Sequence, residues 1–136
     1  MLEPYTQLYV HLVWATWDRQ PLINPALERA LYACIQGECR GLRAEVVAIG
    51  GVEDHVHVLV RMPPAVSVSK LVQQAKGASS HMATHCVPGA AGFRWQARYG
   101  AFSISTDEVP RVTDYIRGQK QRHHEGNLDR DYELDG

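Results

Sequence analysis

The stretch from Gly50 to Met62, GGVEDHVHVLVRM, constrains this chain more than any other. Valines at positions 56, 58 and 60 alternate with histidines at 55 and 57. In a strand, residues two apart point to the same face. The three valines therefore point one way, towards a core, and His55 and His57 point together the other way. The glycine- and acid-rich GGVED before the run reads as a turn, and Pro63 and Pro64 end it. A fold built on this strand needs helices over the valines and a second environment for the imidazoles.

The rest of the chain supplies the partners. Residues 5–17, YTQLYVHLVWATW, are rich in β-formers and read as a first strand. Asn24 is an N-cap candidate with Pro25 at the first helical position, opening a helix over residues 25–42. Leu27, Ala30, Leu31, Cys34 and Ile35 have helical spacing there, and Gly37 and Gly41 weaken its end. Residues 44–49 read as a second strand, antiparallel to a third at 55–62. Ser67 caps a long helix through Cys86, with Val68, Leu71, Val72, Ala75 and Met82 on its apolar side. Residues 94–105, RWQARYGAFSIS, read as extended, with a bend at Gly100. Asp107 caps a third helix over residues 107–124, where Pro110 falls in the first turn and blocks no helical hydrogen bond.

The order strand, helix, strand, strand, helix, strand, helix predicts an α+β fold. It fits a ferredoxin-like split β-α-β antiparallel sheet with one additional C-terminal helix. A chain of 136 residues suits one domain over 1–136, with 125–136 as an acidic tail. No apolar run is long enough to span a membrane, and the N-terminus lacks the pattern of a signal peptide. Cys34, Cys39 and Cys86 are odd in number without CxxC spacing, as expected of reduced thiols in the cytoplasm. The net charge of −1 hides an asymmetry: the tail carries −4, which leaves +3 on the body. Residues 57–124 hold nine Lys or Arg against three Asp or Glu, a balance compatible with phosphate binding.

Two imidazoles at this spacing can share one divalent ion through a ring nitrogen of each. The same pattern also suits two half-exposed strand histidines with hydrogen-bonded neighbours. A metal site needs a further protein ligand and open positions. His81 and His85 lie four apart on the second helix, His123 and His124 end the third, and His11 lies in the first strand; none makes a clear set with the pair. The third helix, VTDYIRGQKQRHH, offers Tyr115 and Gln119 four apart on one face. Alone they read as a packing tyrosine and a surface glutamine. If that helix covers the open sheet face, it brings a phenol and an amide oxygen up to the histidines.

These segments resemble a known family. EDHVHVLV resembles the histidine-hydrophobic-histidine (HUH) motif of single-tyrosine transposases of the bacterial insertion-sequence type. YIRGQKQRHH resembles their catalytic helix, RWQARYGAFSIS the strand before it, and VWATWDRQPLI their N-terminal strand and loop. The four matches occur in the family's order and cover nearly the whole chain. The resemblance implies a cytoplasmic bacterial or archaeal transposase that cuts and rejoins single-stranded DNA at hairpin-bearing ends. It implies Tyr115 as nucleophile, forming a 5′-phosphotyrosine, and His55, His57 and Gln119 as ligands of Mg²⁺ or Mn²⁺. It further implies a homodimer in which the tyrosine helix of one subunit can complete the site of the other, with no nucleotide cofactor.

Lys70, Lys76, Arg94, Arg98, Arg117, Arg122 and, in the loop after the first strand, Arg19 are candidate phosphate contacts. Trp95, Tyr99 and Phe102 are candidates for stacking unpaired bases. Solvated charge and core packing are the commoner fates of such residues. The short acidic tail departs from the longer basic or mixed helix of many relatives, which leaves open a chromosomally domesticated relative of the REP-associated tyrosine transposases. A non-catalytic single-strand nucleic-acid-binding module would need neither the histidines nor Tyr115 and Gln119. A small metal-binding protein without nucleic acid would leave Tyr115 unexplained.

Overall fold

The structure, a computed structural model, describes residues 4–126 and Glu133. Four strands, β1 (Tyr9–Ala15), β2 (Glu45–Val52), β3 (His55–Arg61) and β4 (Gly100–Ile104), form one sheet in the order β2-β3-β1-β4. Every pairing is antiparallel. Helices α1 (Pro25–Gly41) and α2 (Val68–Cys86) connect them, and α3 (Val109–Arg117) and α4 (Gln119–Glu125) follow β4. This is the expected ferredoxin-like α+β sheet with a C-terminal helical addition.

The two faces separate as the alternation in β3 requires. Val56, Val58 and Val60 are fully buried with Leu12 and Trp14 of β1 beneath α1 and α2. Asn24 accepts from the Leu27 amide and Ser67 from the Lys70 amide, so both expected caps form. On the opposite face a smaller cluster joins Ala48, Leu59 and Ile104 of the sheet to Val112, Tyr115 and Ile116 of α3.

Several boundaries differ from the sequence reading. The strand expected at 5–17 is limited to Tyr9–Ala15, and its last part becomes a 3-10 turn at Trp17–Arg19. The extended stretch expected at 94–105 pairs only from Gly100 onward, apart from an isolated bridge between Thr16 and Trp95; Gly100 begins a strand rather than bending one. Asp107 is not the cap of the third helix. Ser105 closes a capping box with Glu108 over a 3-10 turn, and α3 begins at Val109. The single helix expected at 107–124 is two, divided at Gly118, whose amide donates to the Asp114 carbonyl at 3.0 Å. The acidic tail at 125–136 lies outside the described residues apart from Glu133, Gly126 and the end of α4.

Gly50 and Gly51, read as a turn, belong to β2. A register shift between Val46 and Ala48 re-phases this strand, so that Ala48, Gly50 and Val52 oppose Leu59, His57 and His55. Gly50 then faces α3 with no side chain. A Cβ there would lie 2.3 Å from the Ile116 carbonyl oxygen, so only glycine allows the backbone of α3 to rest on the sheet. Gly50→Ala is accordingly expected to destabilise the chain by about 1–3 kcal/mol in urea unfolding. Gly37→Ala, at an open helical position, should instead be neutral or stabilising by up to about 1 kcal/mol.

Candidate functional site

His55 and His57 project from β3 into the space beneath α3 and α4, and both are buried. Each has one ring nitrogen engaged on the sheet side. The His55 Nδ1 lies 2.7 Å from Asp54 Oδ1, and the His57 Nδ1 lies 2.8 Å from the His11 Nε2. Both Nε2 atoms face the opposite way. The Glu133 carboxylate meets them there, at 3.4 Å from His55 and 3.3 Å from His57.

Tyr115 and Gln119 arrive from above. The Tyr115 ring is buried edge-on to His57, with centroids 5.9 Å apart, and its hydroxyl donates to Glu133 Oε2. The break at Gly118 falls between the two residues, yet Gln119 still turns inward and is buried. Its Nε2 reaches back to the Tyr115 carbonyl at 3.4 Å, and its Oε1 lies 3.3 Å from the His55 Nε2. His123, one turn further on, places its Nε2 3.0 Å from the same Oε1 and its ring 4.7 Å from that of His55. All four residues expected at the centre therefore meet, and they meet within one chain.

The donor set fits a cation. An ionised Asp54 can only accept, so a neutral His55 carries its proton on Nδ1 and turns a bare Nε2 lone pair inward. That lone pair faces Gln119 Oε1 and a Glu133 oxygen, which are acceptors as well. Among the described residues, one atom each from His55, His57 and Glu133 lies within 4.8 Å of the others. Nitrogen and oxygen donors without thiolate suit Mn²⁺ and, less ideally, Mg²⁺.

Burial and charge tune these groups. Burial, reinforced by the neighbouring His57, pushes His11 down to about 3. Burial also lowers His57 and His123. The hydrogen bond from His55 holds Asp54 below the ordinary carboxylate range. Burial would raise Glu133, but the neighbouring His57 and the hydrogen bond from Tyr115 bring it to about 2.

The expected DNA contacts scatter. Arg122 lies over the Tyr115 ring at 4.8 Å, and Phe102 is half-buried with its centroid 5.8 Å from that of His11, so both border the site. Arg19, half-buried, is close enough to help lower Asp54. Lys70, Arg98 and Arg117 are exposed. Arg94 is exposed and stacks over Trp17 at 4.0 Å. Lys76 is not a solvated cation: its Nζ donates to the Gln96 carbonyl at 2.5 Å, and burial lowers its pKa. Trp95 is a core residue, 7% exposed, edge-on to Trp14 and Phe93 and donating to Ser79, so its ring has no face open to a base. Tyr99 is half-buried against the same core.

Asp54, His11, His123 and Glu133 escaped the sequence reading as members of the site. Asp54 precedes the histidine pair directly, and that adjacency was the available signal. His11 pairs across with Leu59, diagonal to His57 on the same face, which depends on a register that no local pattern announces. Glu133 lay within a tail read only as charge.

The buried neutral histidine has a measurable consequence. As pH falls, the unfolded chain protonates near pH 6.5 while His11 stays neutral to about 3. The unfolded state then binds more protons, so the unfolding free energy must rise with pH between about 4.5 and 6.5. His11 alone contributes up to about 1.4 kcal/mol per pH unit. Denaturant unfolding in metal-free buffers should show this slope and a shallower one for His11→Phe. A flat native profile would count against the burial of a neutral His11.

Residues 4–119 match the family model described as IS200-like transposase. A protein of Deinococcus radiodurans, assigned as a candidate transposase, superposes with a TM-score of 0.67 at 24% identity, over 88% of this chain and 98% of its own. A REP-associated tyrosine transposase bound to a REP hairpin superposes with a TM-score of 0.66 at 18% identity, over 94% of this chain and 74% of its own. At these identities the two structures speak for the fold. No curated protein matches the chain. The family match covers most of the sequence, including both histidines, Tyr115 and Gln119: this chain belongs to the IS200-like transposase family.

Proposed function

We propose that this protein is a metal-dependent endonuclease and strand transferase for single-stranded DNA, acting over 1–136 as one HUH transposase domain. The observation that carries the reading is the convergence of Tyr115 on the inward Nε2 atoms of His55 and His57, with Gln119 Oε1 beside them. His55, His57 and Gln119 would hold Mg²⁺ or Mn²⁺, which supplies Lewis acidity at the scissile phosphate.

Tyr115 is the nucleophile. A free phenol has a pKa of about 10 and attacks poorly when fully protonated, so it depends on a site that favours loss of its proton. Its oxygen bonds to phosphorus as the bond to the 3′ oxygen breaks. Tyrosine gives up one proton and the departing 3′ oxygen gains one. The resulting 5′-phosphotyrosine conserves the phosphodiester, so the 3′-hydroxyl of another strand can reverse the step and join without a nucleotide cofactor. Glu133 occupies the point where the tyrosine hydroxyl and both imidazoles meet. A DNA phosphate offers the same negative charge and acceptor oxygens, and we infer that it takes this position in the loaded site.

Hairpin-bearing DNA is the substrate class suggested by the family and by the REP hairpin bound to the structural neighbour. Whether mobile or domesticated, such an enzyme would work in the cytoplasm. Among the described residues, no helix is long and apolar enough to cross a membrane. A homodimer belongs to the reading, with each chain's Tyr115 able to serve its own histidines, as in this structure. Arg122, Phe102 and Arg19 are the contacts best placed to meet DNA at the centre.

The test is direct. Labelled hairpin oligonucleotides incubated with the chain and Mn²⁺ should yield a covalent adduct on a denaturing gel, and Tyr115→Phe should yield none. His57→Ala should abolish cleavage with its circular dichroism intact. Binding without an adduct under any metal would favour the non-catalytic binding module.

A further inference from the structure

His11 stands apart from every other residue of β1. It is fully buried in a strand paired on both sides, by β3 and by β4. Its neighbours on the same face of β1 are Tyr9, Val13 and Ala15. An imidazole buried among such residues is costly unless its polar atoms are used. Its Nε2 is used on one specific partner, the His57 Nδ1 at 2.8 Å, with the two rings stacked 5.1 Å apart.

Only one proton can lie between those nitrogens, and its position decides what His57 can do. If it belongs to His11, the His57 proton sits on Nε2 and closes that atom to a cation. If it belongs to His57 Nδ1, the Nε2 lone pair is free and faces the site. We propose that His11 is a positioning residue for the reaction: it accepts the Nδ1 proton of His57, fixing both the tautomer and the ring orientation that present Nε2 to the metal. The inference rests on the metal-dependent reading above and deepens it.

The arrangement complements that of His55. There an anionic partner, Asp54, holds the Nδ1 proton; at His57 an imidazole takes the same role without adding charge. The two ligands therefore receive matching orientation, with Asp54 as the one carboxylate behind them among the described residues. His11 also sits on a central strand whose backbone is bonded along both edges, so the acceptor cannot follow movements of α3 or α4. Outer partners of metal-bound histidines act in this way in general, and their loss weakens metal binding by about 10- to 100-fold.

The experiment uses the full chain without DNA, with Mn²⁺ as the probe, titrated by electron paramagnetic resonance. His11→Phe should weaken Mn²⁺ binding by about 10- to 100-fold with its circular dichroism unchanged. His11→Gln, whose amide oxygen can accept from Nδ1, should recover most of the loss. In the native chain, ¹⁵N spectra should place the His57 proton on Nδ1. Equal Mn²⁺ affinity in native chain and His11→Phe overturns the proposal, as does a His57 proton on Nε2. A native chain that binds no Mn²⁺ overturns the metal reading beneath it. Should His11→Phe fail to fold, the native tautomer decides.

Discussion

The structure depends on β3 being covered on both faces. An antiparallel sheet commonly has one wet face, and such a strand would leave His55 and His57 in solvent. Here the valines are sealed by α1 and α2, and α3 and α4 close the other side, so both imidazoles lie in an environment from which water is largely excluded. Electrostatic interactions strengthen there and unpartnered polar atoms become costly. Each histidine therefore needs a partner for the nitrogen turned away from the centre, and Asp54 and His11 meet that requirement. The closeness of α3 is itself a steric matter, settled by the missing side chain at Gly50.

Much of this was legible in the sequence, because much of it is local. Period-two alternation marked β3 and its faces. Asn24 and Ser67 announced helix starts because capping depends on a side-chain oxygen three residues from the amide that donates to it. Helical spacing put Tyr115 and Gln119 on one face, and both turn inward despite the break at Gly118. What was not legible is set by distant parts of the chain. His11 joins His57 across 46 residues, and its placement follows from the β1–β3 register. Gly50 and Gly51 look like turn residues until α3 is seen to need the space at the first and the backbone of β3 at the second. Trp95 reads as an aromatic available to DNA, but its indole proton is spent on Ser79 inside the core.

The charge pattern gave the least. Lys76 counts as a basic residue in any tally, yet it tethers the backbone at Gln96 and Arg98. Glu133 counts as one of five tail acids, yet its carboxylate sits among the two imidazoles and the tyrosine. The tally carries no positions, and position decides whether a charge is solvated or employed.

The division at Gly118 has a mechanical implication. Tyr115 rides on α3, whose backbone lies against the sheet, while Gln119 opens α4 beyond a single residue with φ −93° and ψ 16°. Rotation about those two bonds would swing the amide through an arc and leave the phenol where it is. The phenol and the amide are thus carried on separate helices that meet at one residue, and that residue has no side chain.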